Sequence, residues 1–215
     1  MVYRVLLADD HTIVREGLRR LLEDDKEMRV VGEAGDGHET LRMARELRPD
    51  VVVMDLSMPG LDGIETTKIL VQEIARVNVL ILTMHYNKVY AMRLLQAGAR
   101  GFLSKGTSGQ ELLTAIRKVV TAKVYLPSAL ADTLPYRNSN IDSGANPLEA
   151  LSDRELQILK RVGEGRTGRE IAQDLHLSIK TVDTYRARVL NKLALDTNAD
   201  LIRFALRHGV IDNLW

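Results

Sequence analysis

Five polar side chains that suit metal and phosphate chemistry follow short apolar stretches in the first half of the chain. Asp9, Asp10 and Asp55 supply carboxylates, Thr83 a hydroxyl and Lys105 an ammonium group. Three carboxylates brought together repel one another unless a cation joins them, and hard oxygen ligands suit Mg²⁺. A lysine and a hydroxyl beside such a cluster suit a phosphoryl group, which needs positive charge and hydrogen-bond donors. A fold that gathers these residues would therefore hold magnesium and a phosphoryl group.

The stretches that precede these residues have the pattern of buried strands. The apolar run 51–54 ends on Asp55, and an unpaired charge within a buried strand would be costly, so Asp55 is expected at the strand's carboxyl end. The predicted strands are 4–8, 30–34, 51–55, 79–83 and 101–105, each followed by a helical pattern. Five strand–helix repeats predict a doubly wound, five-stranded parallel sheet covered on both faces. Ligands of such sheets bind at the carboxyl ends of the strands, where these polar residues fall.

Apolar residues at helical spacing follow the predicted strands. In the first helix the stripe consists of Ile13, Leu18, Leu21 and Leu22. The later helices are predicted at 36–47, 63–75, 88–97 and 107–122. Each helix returns the chain to the start of the next parallel strand.

Residues 3 to 122 resemble a two-component receiver domain. The matching pieces are the pair Asp9-Asp10, the loop Asp-Leu-Ser-Met-Pro-Gly-Leu-Asp-Gly that begins at Asp55, Thr83, and Phe102 three residues before Lys105. The resemblance implies a flavodoxin-like fold and a sensor histidine kinase as partner. It also implies that Asp55 attacks a phosphohistidine and holds the phosphoryl group as an aspartyl phosphate.

The same resemblance implies a role for each remaining pocket residue. Asp10, Asp55 and the backbone carbonyl of Ser57 would ligate Mg²⁺, and Asp9 would act largely through water. Lys105 would pair with the phosphoryl oxygens, and the Thr83 hydroxyl would swing in to bond them. Phe102 would be the switch aromatic that rotates inward when Thr83 moves.

Simpler interpretations exist for single residues. An isolated Asp55 before a turn would be a cap, Thr83 an ordinary strand-end residue and Phe102 part of the core. One residue also departs from the family pattern, because Gly106 follows Lys105 where many receivers carry proline, often across a cis bond. A cis peptide without proline costs several kcal/mol, so the position of Lys105 is open at this point.

Composition limits the class of protein. The chain has 215 residues, 45% of them hydrophobic, with no cysteine and a formal net charge of +1. This length accommodates two domains of ordinary size. We expect a cytoplasmic protein that does not act at a membrane, since no apolar run reaches bilayer length and no signal-peptide pattern begins the chain.

The second half of the chain divides into a linker and a helical region. Three of the five prolines fall in 123–150, which we expect to be a flexible linker with a short helix at 128–134. Capping boxes begin at Ser152 and Thr167, and Ser178 caps a third helix that runs to about Leu193. Short helices with a tight turn between the second and third predict an all-α helix-turn-helix domain. The expected domains are therefore 1–122, 123–150 and 151–215.

The third of these helices has one basic and one apolar face. Its polar residues are Lys180, Thr181, Thr184, Tyr185, Arg186, Arg188 and Lys192. Its apolar residues Ile179, Val182, Val189, Leu190 and Leu193 are expected to face the core. This arrangement suits a helix that lies in the major groove of DNA, although an ordinary solvated helix face would look the same.

The helical region resembles a LuxR-type helix-turn-helix, and its pairing with a receiver is typical of NarL/FixJ response regulators. The matching residues are Leu151-Ser152 with Arg154-Glu155, Glu170-Ile171-Ala172 with Leu175, Ser178 with Lys180-Thr181-Val182, and Lys192-Leu193. Gly168, Asp183 and Tyr185 stand where asparagine, lysine and histidine are common. Asp183 would repel a phosphate, but it can accept a hydrogen bond from a cytosine amino group.

Three functions are compatible with these features. The favoured one is a transcription factor that binds promoter DNA and is not an enzyme, in which phosphorylation favours a homodimer. Its dimer surface would be the first and last receiver helices, as the resemblance implies, or the stripe Leu201, Ile202, Ala205 and Leu206 of the last helix. A phosphohydrolase is less well supported, because such enzymes usually place a second Asp where Ser57 stands. A DNA-binding protein with an inactive receiver is disfavoured because each expected pocket residue is present.

Overall fold

The computed structural model describes residues 2–84, 88–127 and 146–211. The chain forms two compact units, which consist mainly of residues 2–84 with 90–127 and of residues 146–211. The helix expected at 128–134 lies outside the described residues. None of the helices in the described ranges combines the length and hydropathy that a membrane crossing requires.

Strands and helices alternate in the first unit. The strands are β1 (Tyr3–Ala8), β2 (Met28–Ala34), β3 (Val51–Asp55), β4 (Asn78–Thr83) and β5 (Gly101–Ser104). The helices are α1 (Thr12–Glu23), α2 (Gly37–Leu47), α3 (Gly63–Glu73), α4 (Lys88–Gln96) and α5 (Gly109–Val120). The strands form one sheet in the order β2-β1-β3-β4-β5, and each neighbouring pair is parallel. The predicted flavodoxin-like fold is confirmed.

Apolar side chains cover both faces of this sheet. On one face, Leu22 of α1 and Ile116 of α5 pack in a buried cluster with Val5 and Val53. On the other face α2 approaches β2 closely at Gly32, where an added Cβ would lie 2.5 Å from a side-chain atom of Met43. Because both faces are covered, a ligand can reach the sheet only at its ends.

The first helix differs from its predicted register. Ile13 was expected in the apolar stripe, but the residue is 85% exposed. The face that turns toward the sheet runs through Val14, Leu18 and Leu22, at steps of four residues. Ile13 lies about 100° away from that line, so it points outward from the first turn of α1.

The receiver-like unit continues past the end of α5. The Tyr125 amide donates to the Arg100 carbonyl at 2.8 Å, and the Phe102 amide donates to the Tyr125 carbonyl at 3.1 Å. The Tyr125 hydroxyl also donates to Glu111 at 2.9 Å. The beginning of the expected linker is therefore attached to the edge of β5.

The second unit consists of short helices. A 3₁₀ turn (Pro147–Ala150) precedes α6 (Asp153–Gly163), α7 (Gly168–Asp174), α8 (Ile179–Leu193) and α9 (Asn198–Arg207). The capping boxes predicted at Ser152 and Thr167 are both present. Leu175, His176 and Leu177 connect α7 to α8, and Ser178 caps α8 by accepting from the Thr181 amide. The predicted helix-turn-helix is confirmed.

The core of this unit contains part of the predicted apolar face of α8. Val182 and Val189 are fully buried against the neighbouring helices, and Leu190 and Leu193 are half-buried. Ile179 was expected among them, but it is 51% exposed. Ile179 occupies the first helical position, three residues before Val182, where the helix has not yet reached the core.

Candidate functional site

The carboxyl ends of three strands meet at one charged cluster. The Lys105 ammonium, which follows β5, lies 2.6 Å from an Asp9 oxygen and 3.0 Å from an Asp55 oxygen. Asp9 follows β1 and Asp55 ends β3, and both carboxylates are buried. β1 and β3 are the neighbours at which the strand order reverses, so the cluster occupies the topological switch point where such folds bind ligands.

Two further residues complete the cluster toward solvent. The Asp10 side chain is 35% exposed, and its carboxylate lies 2.8 Å from Nδ1 of His11. The ligand atoms of Asp9, Asp10, His11 and Asp55 all lie within 4.8 Å of one another. A mostly carboxylate set of this size, open on one side, fits a hard divalent cation that keeps some of its waters. His11 was absent from the predicted site, although its position directly after the acidic pair was a signal for it.

Burial and charge act in opposite directions on the two central groups. Burial raises the pKa of Asp55 above its ordinary value, although Lys105 and the Ser57 amide favour the ionised form. Burial also acts to lower the pKa of Lys105, but attraction to Asp55 and hydrogen bonds to both carboxylates outweigh it and raise that pKa. Lys105 is therefore kept as an ammonium group, and it shares the pocket with three carboxyl groups, those of Asp9, Asp10 and Asp55.

The other predicted pocket residues surround this cluster. The Ser57 amide donates to the Asp55 carboxylate. Thr83 ends β4 and is buried, and its carbonyl accepts from the Lys105 amide at 2.8 Å. Phe102 is fully buried in β5, where it lies opposite Ile81. The described peptide bonds are all trans, so Lys105 reaches the carboxylates with Gly106 after it and without a cis bond.

The exposed face of α8 is a second candidate site. Its exposed residues are Ile179, Lys180, Asp183, Thr184, Ala187, Arg188, Asn191 and Lys192. Most of these positions recur at steps of three or four residues, so they form one continuous row. Ala187 and Asn191 were not predicted as site residues, because neither is basic. Their spacing could have indicated them, since each lies four residues after another member of the row.

Several predicted α8 side chains already have partners within the unit. Thr181 bonds the Ser178 hydroxyl at 2.8 Å, and the Thr184 hydroxyl donates to the Lys180 carbonyl at 2.9 Å. The Arg188 guanidinium lies over the half-buried Tyr185 ring, 5.6 Å from its centroid. Arg186 donates to Asp183 at 2.7 Å. These contacts fix the orientation of the polar row.

Lys192 differs from the other predicted DNA contacts. Its ammonium lies 2.7 Å from the Glu155 carboxylate and 3.1 Å from the Ala150 carbonyl. The Glu155 side chain is only 4% exposed, and it also accepts from the Ser152 amide in the capping box of α6. Lys192 therefore holds the end of α8 against the start of α6, a structural role that the basic pattern did not predict. Its contact with DNA remains a prediction.

Comparison with known proteins identifies both units. Residues 5–117 match the family model described as the response regulator receiver domain, and residues 149–205 match that of bacterial regulatory proteins of the luxR family. The chain is 41% identical over 206 residues to the response regulator UvrY of Escherichia coli, which covers 96% of this chain and 94% of UvrY. It is 38% identical over 209 residues to the response regulator GacA of Pseudomonas aeruginosa, and the match covers 97% of this chain and 98% of GacA.

A solved structure also covers nearly the whole chain. RcsB from Salmonella enterica serovar Typhimurium, bound to promoter rprA in the presence of the phosphomimetic BeF3-, is 28% identical. The match has a TM-score of 0.69 and covers 95% of this chain and 98% of RcsB. The chain therefore belongs to the NarL/FixJ family of response regulators, DNA-binding regulators of transcription that join a receiver domain to a LuxR-type helix-turn-helix.

Proposed function

We propose that Asp55 accepts a phosphoryl group from a sensor histidine kinase and that this step controls binding to promoter DNA. The observation that carries the proposal is the Lys105 ammonium, which lies within 3.0 Å of both the Asp9 and Asp55 carboxylates. This places a fixed positive charge beside the oxygen atoms at which a transferred phosphoryl group would arrive.

The transfer requires few groups. An Asp55 oxygen forms a bond to phosphorus as the bond between phosphorus and the kinase imidazole breaks, and the imidazole keeps that electron pair. Lys105 neutralises charge on the phosphoryl oxygens, and the Ser57 amide keeps the Asp55 carboxylate oriented. Asp10, Asp55 and the Ser57 carbonyl would hold Mg²⁺, with Asp9 acting through water, and the ion would supply further charge neutralisation.

The route from the pocket to the rest of the chain begins at β5. Thr83 and Phe102 act as the switch pair in this proposal, and Lys105 follows the same strand as Phe102. The Phe102 amide bonds Tyr125, so movement of β5 acts directly on the segment that leaves the receiver. Phosphorylation adds about −1.5 to −2 charges beside Lys105, enough to bias a two-state element whose states differ by a few kcal/mol.

The DNA-binding surface is the exposed row of α8. Lys180, Thr184 and Arg188 are exposed, and Arg186 and Tyr185 flank them. Basic side chains there would contact phosphates, and the N-terminal part of the helix would approach base edges in the major groove. RcsB was solved with promoter DNA and a phosphomimetic, which supports promoter DNA as the partner of this chain.

A homodimer is the expected active form. Among the stripe residues of α9, Leu201 and Ala205 are fully buried in the core, whereas Ile202 and Leu206 remain half-buried. The latter two are available for a symmetric contact, and α1 with α5 is the alternative surface. We further propose domain boundaries near 122 and 151 and a cytoplasmic regulator that is not an enzyme.

Light scattering combined with DNA affinity tests this control. Treatment with a small phosphoryl donor and Mg²⁺ should raise the mass of the wild-type protein toward a dimer and tighten binding to a selected DNA site. The Asp55→Asn variant is the matched control and should show neither change. A wild-type protein that is phosphorylated but stays monomeric and binds the site no more tightly contradicts the proposed control.

A further inference from the structure

Asp183 is an acidic residue in the exposed row of a helix that is otherwise suited to a polyanion. Its side chain is 49% exposed, and one carboxylate oxygen accepts from Arg186 at 2.7 Å. Within the described residues the other oxygen, Oδ2, makes no hydrogen bond. The ion pair offsets the charge of Asp183, so the repulsion that a lone carboxylate would feel from DNA phosphates is reduced. One acceptor atom remains available on the face that carries Lys180 and Thr184.

The space beside this carboxylate is kept open by a glycine. A Cβ added to Gly168, at the start of α7, would lie 3.9 Å from the Oδ1 atom of Asp183. That distance is ordinary van der Waals contact, so the start of α7 lies beside the carboxylate, and Gly168 places no side-chain atom between them. Two of the three helix-turn-helix positions that depart from the family pattern, Gly168 and Asp183, are therefore neighbours in space. Their combination leaves Asp183 accessible from the α7 side.

The neighbouring residues allow the helix to come close to bases. Ala187, one turn after Asp183, is exposed and ends at Cβ, so it adds no long side chain between the helix and the groove. The Thr184 hydroxyl donates its hydrogen to the Lys180 carbonyl and therefore does not compete as a donor for Asp183. In the major groove, the N4 amino group of cytosine suits a carboxylate, because guanine and thymine present acceptor atoms there and the amino group of adenine lies beside the N7 acceptor, which would repel a carboxylate.

We propose that Asp183 determines sequence specificity by accepting a hydrogen bond from the N4 amino group of a cytosine, so that each half-site contains a required C·G pair. This inference rests on the proposed placement of α8 in the major groove. Asp183 acts as the base-reading acceptor, Arg186 holds it in place, and Gly168 leaves it uncovered.

Selection of DNA from a random pool by the full chain tests the inference. The wild-type protein should enrich one C·G position per half-site. Asp183→Ala should lose that preference, and Asp183→Asn should shift it toward A·T, since asparagine pairs with the N6 and N7 atoms of adenine. Gly168→Asn, which keeps the carboxylate and adds a side chain beside it, should weaken the same preference.

A chemically modified site tests the hydrogen bond itself. Replacing the selected cytosine with 2-pyrimidinone, which lacks the amino group but still pairs with guanine, should weaken wild-type binding by roughly 5- to 100-fold. The same replacement should leave binding by Asp183→Ala unchanged. In DNA of unrelated sequence, replacing a cytosine with 2-pyrimidinone should not change binding by either protein.

The outcomes separate this inference from the proposed function. If the wild type selects a site and Asp183→Ala selects the same C·G position, Asp183 does not read the base, while DNA binding through α8 stands. Equal loss of affinity on 2-pyrimidinone DNA by both proteins leads to the same conclusion. If the wild type, with or without a phosphoryl donor, selects no sequence at all, both the proposed function and this inference fail.

Discussion

Two lysine–carboxylate contacts in this molecule look alike but have different consequences. Lys105 lies 3.0 Å from Asp55 in the receiver, and Lys192 lies 2.7 Å from Glu155 in the helix-turn-helix. In each contact the carboxylate is almost fully buried. Both lysines were predicted as functional residues from their sequence context. The difference between them is the balance of charge around each ammonium group.

In the receiver pocket, one ammonium faces a surplus of carboxylates, whereas the pair in the helical domain is balanced. Lys105 contacts the carboxylates of Asp9 and Asp55, and Asp10 belongs to the same cluster. The pKa of Asp55 stays raised, mainly by burial. Burial also acts to raise the pKa of Glu155, but hydrogen bonds from Lys192 and Ser152 outweigh it and lower that pKa. Excess buried negative charge is stabilised by a bound cation, which suits the binding of a divalent metal ion and a phosphoryl group. A carboxylate paired with one ammonium group instead stabilises the fold.

The largest change in stability is expected when Glu155, the carboxylate paired with Lys192, is removed. Glu155→Ala leaves the Ser152 amide without its acceptor and Lys192 with only the Ala150 carbonyl, so the helical domain should lose roughly 2–3 kcal/mol of unfolding free energy. This is less than a fully buried pair would cost, because Lys192 is 41% exposed. Urea denaturation measures the loss.

Glu170→Ala is the matched control. Glu170 occupies the same capping-box position in α7, accepts from Thr167 and is exposed. Its replacement should cost less than that of Glu155, since none of the described lysines bonds it, and its hydrogen bonds are to Thr167. Equal losses in the two variants would mean that Lys192 contributes nothing beyond the cap.

Removing a carboxylate from the receiver pocket should increase stability, the opposite of the effect expected for Glu155. Asp55→Asn removes one negative charge from a surplus, so the metal-free receiver should gain roughly 1 kcal/mol of stability. Mg²⁺ should raise the melting temperature of the wild type, and it should have a much smaller effect on the variant. Thermal denaturation with and without Mg²⁺ measures both effects.

Asp36→Asn is the control for replacing an aspartate with asparagine outside the pocket. Asp36 is the N-cap of α2 and accepts from the Glu39 amide, a role that asparagine fills about equally well. This variant should be nearly neutral and should keep the full Mg²⁺ response. A metal-free Asp55→Asn protein that is less stable than the wild type would show that Lys105 already balances the pocket.

The comparison also explains what sequence could and could not predict. The order of apolar strands and the polar residue at each strand end predicted both the sheet and the cluster around Asp55, because parallel strands bring their carboxyl ends together. The role of Lys192 was not predictable, because its partner Glu155 lies 37 residues away. Ile13 and Ile179 were misplaced for local reasons. Ile13 lies about 100° from the line of α1 residues that faces the sheet, and Ile179 lies in the first turn of α8, before that helix reaches the core.

The smallest expected effect is the pH dependence of stability, which should have opposite signs in the two domains. The pKa of Glu155 is lowered on folding, so its contribution is present above its ordinary value of 4.5 and is lost as pH falls through the lowered pKa. The pKa of Asp55 is raised, so in metal-free protein its contribution is present below 3.8 and is lost as pH rises through the raised pKa.

Peptide-resolved hydrogen exchange, corrected for intrinsic rates, reads the two domains separately. Peptides from α6 should become less protected as pH falls below 4.5, and those from β3 should become less protected as pH rises above 3.8. Glu155→Gln should reduce only the first trend and Asp55→Asn only the second. Trends of the same sign in both domains of the wild type would contradict the contrast in charge balance.

We propose that the carboxylate cluster beside Lys105 makes Asp55 the phosphoryl acceptor. Intact-protein mass spectrometry after treatment with acetyl phosphate tests it directly, with Mg²⁺ or a chelator present. The wild type should gain one phosphoryl group only when Mg²⁺ is present, and the label should be lost in Asp55→Asn but kept in Asp36→Asn. Label that persists undiminished in Asp55→Asn, or that forms equally well in the chelator, would contradict the assignment.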